Sequence, residues 1–150
     1  MKSAWDSFSQ VAAVSTYLVV LIIFGPTCLG LLIYNVFFSD FYILGLVYTV
    51  WWLVDVSTCN TGGRRSPLVP WVRGWRLWTH LRDYFPIRLV KTANLDPSRN
   101  YIFCCHPHGV ICFGPVTVFA SEADGFSEKF PGLQPHLTTV EGNLWMPGFR

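Results

Sequence analysis

The chain has 150 residues, 51% of them hydrophobic, 17% aromatic and only 13% charged, with a net charge of +2. Soluble domains carry about 25% charged residues, so the deficit implies apolar surface that water does not see. The charge is too small for a nucleic-acid partner, and no basic run, zinc-finger spacing or RNA-binding aromatic motif is present, which excludes that class.

Residues 1–10 are a polar start carrying Lys2 and Asp6. From 11 to 38 no Asp, Glu, Lys, Arg or His occurs, and only Gly25-Pro26 interrupts the run. As a helix at 1.5 Å per residue it reaches about 40 Å, more than the ~30 Å hydrocarbon core of a bilayer. The run is too long for a secretory signal and no small-x-small cleavage site follows it, so it is expected to be retained. A second apolar run, 41–54, covers only about 20 Å as a helix. The economical arrangement is a hairpin turning near residues 35–40, its second arm tilted, sharing the turn, or partly inserted. Arg64, Arg65, Arg73 and Arg76 follow the second run and the turn holds no Lys or Arg, so both ends of the hairpin are expected on the cytosolic side.

Residues 61–67, Thr-Gly-Gly-Arg-Arg-Ser-Pro, are a turn-rich exit. Ser66-Pro67 can cap a helix, although Pro70 argues for a start near Trp71. Trp71, Trp75 and Trp78 then share one face at helical spacing, with Arg73, Arg76 and His80 opposite. That pattern suits an amphipathic helix with indoles at headgroup depth; the alternative is a core helix with its tryptophans inward. The stretch 83–86, Asp-Tyr-Phe-Pro, ends it.

Candidate strands follow at 87–90, 101–105 and 137–140, with a turn signal at Asp96-Pro97-Ser98. Residues 109–120 are apolar around Gly114-Pro115, a helix interrupted by that pair or a loop leading into one. Residues 121–132 are polar enough for a solvated helix-and-turn segment. Strand, helix, strand is an α/β pattern, though incomplete.

The stretch most suited to chemistry is 100–109, Asn-Tyr-Ile-Phe-Cys-Cys-His-Pro-His-Gly. A buried-strand pattern runs into His106 and His108, with Pro107 restricting the backbone between them and Gly109 free to take conformations closed to other residues. Histidine titrates near neutrality and suits proton transfer; a hydrogen-bonded structural histidine is the competing reading. Cys104, Cys105 and Cys112 cluster with them, but adjacent strand residues face opposite ways and no zinc spacing occurs, so no metal is expected. Five cysteines, Cys28, Cys59, Cys104, Cys105 and Cys112, form no disulfide framework and fit reduced thiols on a cytosolic domain. A Gly-x-Ser-x-Gly elbow and a phosphate-cradling glycine loop are absent. What remains is a base without its own nucleophile. Such a base activates a hydroxyl supplied by a substrate, and beside a membrane that hydroxyl belongs to a lipid, with an acyl thioester as electrophile.

Gly62-Gly63-Arg64-Arg65-Ser66, Trp71-Val72-Arg73, Asp83-Tyr84-Phe85-Pro86, Leu89-Val90-Lys91-Thr92, Asn100-Tyr101-Ile102-Phe103, His106-Pro107-His108-Gly109 and Phe130-Pro131-Gly132 together resemble the diacylglycerol acyltransferase 2 family, which includes monoacylglycerol and wax-alcohol acyltransferases. The resemblance covers nearly the whole chain. It implies a membrane-anchored α/β protein: an N-terminal hydrophobic helical hairpin in 1–58, with apolar runs 11–38 and 41–54, then an incomplete glycerolipid-acyltransferase-like domain in 59–150. It also implies an endoplasmic-reticulum protein with its catalytic part facing the cytosol and links to lipid droplets. Acyl-CoA is the implied co-substrate, with no bound cofactor, and the acceptor is a neutral-lipid alcohol. Association with itself or with related acyltransferases is a further implied possibility. In the family's signature His106 and His108 are the catalytic candidates, supported by Pro107 and Gly109. By similarity to the wider glycerolipid acyltransferases, in which an Asp follows the histidine at the fifth position, His106 is the leading base; here that position is Ile111, so His108 stays a candidate. Cys104-Cys105 and the segment from Gly114-Pro115 to Val116-Thr117 depart from the family's usual residues. Family members run about as long again, so the chain is expected to be a truncated member, poorly active or inactive alone. The reading from a different class is a non-catalytic hairpin that binds lipid or full-length relatives.

Overall fold

The computed structural model describes residues 3–61, 66–106 and 109–149. It divides into two compact units, Met1–Val14 with Ser66–Leu137 and Ser15–Arg65 with Thr138–Arg150.

One continuous helix, Ala4–Phe38, is long and apolar enough to cross a membrane. It begins in a reciprocal cap: Ser3 Oγ accepts the Asp6 N–H at 3.1 Å, and Asp6 Oδ2 accepts the Ser3 N–H at 3.0 Å. Within it α1 (Ala4–Val19) passes through a π-type stretch, Val20–Phe24, into α2 (Gly25–Phe38). The widened turn has a cause. Pro26 offers no N–H and its ring crowds the carbonyl four residues back, that of Ile22, so the helix loosens there instead of breaking.

The hairpin turns at residues 39–41, where Ser39 Oγ accepts the Phe41 N–H at 3.1 Å and Ser39 O accepts the Tyr42 N–H at 3.2 Å. Helix α3 (Tyr42–Val54) returns along α2 and runs into a 3₁₀ stretch, Asp55–Thr61. Close packing of the two arms depends on Gly45, where an added Cβ would lie 2.5 Å from Asn35 Oδ1 and 2.8 Å from Val36 Cγ2. The large apolar side chains of both arms, among them Ile22, Leu31, Phe37, Leu44, Val47 and Val50, stay exposed. The same unit includes α8 (Glu141–Leu144) and the segment after it. There the Tyr48 hydroxyl accepts the Gly148 N–H at 3.1 Å, and Trp145 meets Trp52 edge to face.

The other unit is built on α4 (Leu68–Arg73), α5 (Arg76–Tyr84), α6 (Phe113–Phe119) and α7 (Phe126–Lys129). Helix α4 starts earlier than Pro70 suggests, since a proline in the first turn removes an N–H that has no intrahelical partner anyway. Ser66 Oγ accepts the Leu68 N–H at 3.2 Å. The amphipathic helix expected through Trp71, Trp75 and Trp78 is two helices, broken at Gly74 and Trp75, where Trp75 is extended. The break rotates the faces: the Trp78 indole N–H donates to Val72 O at 2.7 Å, and Arg73 turns inward. Gly114-Pro115 does not interrupt α6; it forms its first turn. Although 121–132 reads as polar, Phe126 and Phe130 are buried. They form, with Phe103 and Phe119, a chain of rings 5.2–6.3 Å apart. Leu81 and Thr117 are buried completely.

Among the described residues there is no strand, so the α/β expectation is not met. Residues 87–90, 101–105 and 137–140 run as irregular chain. At Leu89 the reason is visible: its N–H goes to Asp124 Oδ2 and its carbonyl accepts from Lys129 Nζ at 2.9 Å. Both groups that would enter a ladder are taken by side chains. The turn at 96–98 does form, with Asp96 Oδ1 accepting the Ser98 N–H at 2.9 Å and the Ser98 hydroxyl at 2.7 Å. These bonds hold the exposed Asp96 carboxyl below its ordinary range.

Candidate functional site

His106 lies at a bend on the surface, exposed; Pro107 and His108 fall outside the described residues. Gly109 follows with φ +65°, the left-handed conformation that glycine takes without steric cost. Three residues on, Cys112 adopts φ +53°, uncommon for a residue with a Cβ, and its thiol donates to Gly109 O at 3.3 Å. Gly109 and Cys112 are thus two left-handed corners, and α6 begins immediately after the second.

Aromatic packing fixes the chain on either side of that loop. Three residues before His106, the Phe103 ring packs tilted against Phe119 at 5.2 Å; after the loop, Phe113 packs on Phe85 at 4.3 Å. The far end of α6 is held by Arg73. Its Nη1 donates to Phe119 O at 2.7 Å, its Nη2 to Ser121 O at 3.5 Å, and both Nε (3.2 Å) and Nη2 (2.5 Å) to Glu122 Oε1. Glu122 answers by donating its N–H to Arg73 O at 2.9 Å. Next along the chain, Ala123 O accepts from Arg82 Nη1 at 2.5 Å, and Lys129 Nζ reaches Asp124 O at 2.7 Å and Asp124 Oδ2 at 3.2 Å. Three cations thus hold residues 119–124 by charge-assisted hydrogen bonds.

Partial burial pushes the Glu122 carboxyl up. The Arg73 hydrogen bond and charge, with the Ser127 N–H and hydroxyl, outweigh it, and the net direction is down. Glu122 is therefore a carboxylate at neutral pH, suited to clamping and not to supplying a proton. Arg73, placed by spacing on the polar face opposite the tryptophans, is instead only 13% exposed at its side chain. Its neighbours in sequence give no sign of this role, because Glu122 is 49 residues away.

Cys28, Cys104, Cys105 and Cys112 carry no disulfide. Among the described residues no group of three or more His, Cys, Asp or Glu gathers where it could hold a metal ion. A cavity of about 560 Å³ lies along α2 and α3, beside Leu31, Asn35 and Gly45; another, about 460 Å³, is bordered by His80, Arg82, Arg88 and Asp124. His106 lines neither. Its site is a displayed surface loop.

The family model described as diacylglycerol acyltransferase matches residues 34–150, from the end of α2 onward. The zebrafish (Danio rerio) protein named diacylglycerol O-acyltransferase 2 is 48% identical over 94% of this chain and 38% of its own length. Its human (Homo sapiens) counterpart of the same name is 43% identical over 99% of this chain and 37% of its own length. Human 2-acylglycerol O-acyltransferase 3 is 42% identical over 89% of this chain and 38% of its own length. The chain thus spans about two fifths of the length of these curated relatives. No solved structure matches it. With the match running through the hairpin's second arm, the displayed His106 loop and the Arg73 clamp, the chain belongs to the diacylglycerol acyltransferase family.

Proposed function

We propose that this chain is the N-terminal part of an acyl-CoA-dependent O-acyltransferase acting on a neutral-lipid alcohol, with His106 or His108 as general base. The acceptor class comes from the relatives' names, diacylglycerol and 2-acylglycerol; a long-chain alcohol belongs to the same class. The observation that carries the reading is family membership together with the sequence His106-Pro107-His108-Gly109, of which His106 is exposed at a bend. In the proposed step the imidazole takes the hydroxyl proton as the lipid oxygen attacks the thioester carbonyl. The new C–O bond forms, the C–S bond breaks, and the departing coenzyme A thiolate takes the proton back from the imidazolium. No protein nucleophile and no bound cofactor is required. On this reading residues 1–58 are the membrane segment and 59–150 the beginning of the catalytic domain, which faces the cytosol at the endoplasmic reticulum and reaches lipid droplets.

Microsomes containing the chain, alone and extended by the remainder of the zebrafish relative, test the proposal with labelled acyl-CoA and diacylglycerol. Transfer is expected in the extended protein and is lost at least 100-fold in His106→Ala or His108→Ala. Full transfer in both variants would remove the histidine base. The exposed apolar arms of the hairpin favour a second reading, a non-catalytic protein that binds lipid or associates with full-length relatives. It predicts membrane retention with no transfer in any form, extended or not.

A further inference from the structure

The break at Gly74 sorts the tryptophans near the start of the second unit into two kinds. Trp78 is half-buried, with its N–H committed to Val72 O at 2.7 Å. Trp71 and Trp75 point outward, 64% and 41% exposed, their rings edge to face at 4.9 Å. Beside them on α4, Leu68 and Val69 are 62% and 47% exposed. Two indoles, a leucine and a valine thus gather within eight residues, with the exposed Arg76 next along the chain. Arg73, the other cation of this stretch, is held by Glu122 and takes no part.

We propose that Leu68, Val69, Trp71 and Trp75 form a wedge that enters the headgroup–acyl boundary of the bilayer, with Arg76 at the lipid phosphates. Three observations choose a bilayer as occupant. Composition is the first: paired indoles with an aliphatic flank and an adjacent arginine match the interfacial zone, where an apolar body and a polar N–H are both satisfied. Charge is the second: among the described residues, the exposed ionisable group that directly follows Trp75 in the chain is Arg76, a cation complementary to lipid phosphate. The third is the covalent tether. Only seven residue steps separate Thr61, the end of the stretch that follows α3, from Leu68. Fully extended they reach about 25 Å, so the wedge stays within reach of the surface from which α3 emerges. This inference rests on the reading of α2 and α3 as a membrane hairpin. It adds a second, peripheral contact that would hold the domain bearing His106 against the lipid surface.

The test uses the full chain in phosphatidylcholine vesicles, with and without phosphatidylserine, in which a fraction of the lipid carries bromine at carbons 6 and 7. Trp71→Phe and Trp75→Phe are each expected to remove a share of the bromine-quenched fluorescence. Trp78→Phe should remove only unquenched signal. Arg76→Glu should reduce the quenching owed to Trp71 and Trp75 in the anionic vesicles more than in the neutral ones. Protein that floats with the vesicles while Trp71 and Trp75 remain unquenched overturns the wedge and marks a protein-binding surface. Protein that does not float at all overturns the hairpin reading itself, so the two failures are separable.

Discussion

Arg73 shows how one residue's role turns on backbone geometry a few residues away. Counted along an unbroken helix it belongs with Arg76 and His80 on a polar face, and the break at Gly74 turns it inward. The guanidinium then meets two carbonyls and a carboxylate, a fork geometry that a lysine ammonium reproduces only in part. Arg73→Ala leaves these acceptors without their donor. With Glu122 still partly solvated, the cost is about 2–3 kcal/mol, and Arg73→Lys should recover some of it. Protease resistance of residues 119–124 against denaturant reads both. The pH dependence follows from Glu122, whose folded pKa is lowered. Its contribution is complete above the ordinary glutamate range and is lost as pH falls through the lower, folded value. Glu122→Gln should therefore narrow the stability difference between pH 7 and pH 3, and an unchanged difference would remove Glu122 as its source. By contrast the His106-Pro107-His108-Gly109 motif is contiguous, so proposing it as a site needs no knowledge of what the chain touches elsewhere.

Among the elements, the helical hairpin was legible, whereas the expected strands do not form among the described residues, for one physical reason. Hydropathy is a local property, so runs ending at 38 and starting again at 41 lead directly to α2, the Ser39 turn and α3. A strand is a relation between segments, and the apolar pattern of 101–105 says nothing about whether a neighbour is there to pair with it. At Leu89 the backbone was claimed by Asp124 and Lys129, which no periodicity could reveal. The same distinction separates two glycines of the hairpin. Gly30 has nothing within 4 Å of an added Cβ, whereas at Gly45 the Cβ collides with Asn35 and Val36. Asn35 Oδ1 is buried there with no hydrogen-bond partner among the described residues, so it has little room to retreat. Gly30→Ala should stabilise α2 by up to about 1 kcal/mol through helix propensity. Gly45→Ala should cost about 1–3 kcal/mol by forcing the arms apart. Thermal unfolding in detergent compares the two; equal effects would mean that α2 and α3 do not pack through Gly45.

For the whole molecule the dominant quantity is apolar area, and magnitudes decide what it takes to detach the chain from a bilayer. Six of the exposed side chains alone, Ile22, Leu31, Phe37, Leu44, Val47 and Val50, contribute about 9–18 kcal/mol when moved from water into hydrocarbon. One aspartate in the middle of a spanning helix costs about 3 kcal/mol. Ile22→Asp should therefore leave the chain resistant to alkaline carbonate. Deleting residues 15–54 removes both arms while keeping Met1–Val14 with the unit it packs in. In that shortened chain the proposed bilayer contact is the wedge of Leu68, Val69, Trp71 and Trp75, and a single shallow anchor gives reversible binding. It should float with anionic vesicles at low salt yet be stripped by carbonate. Resistance to carbonate after the deletion would place the integral membrane contact outside α2 and α3. Release of the intact chain would mean that its apolar helices are covered by protein and not by lipid.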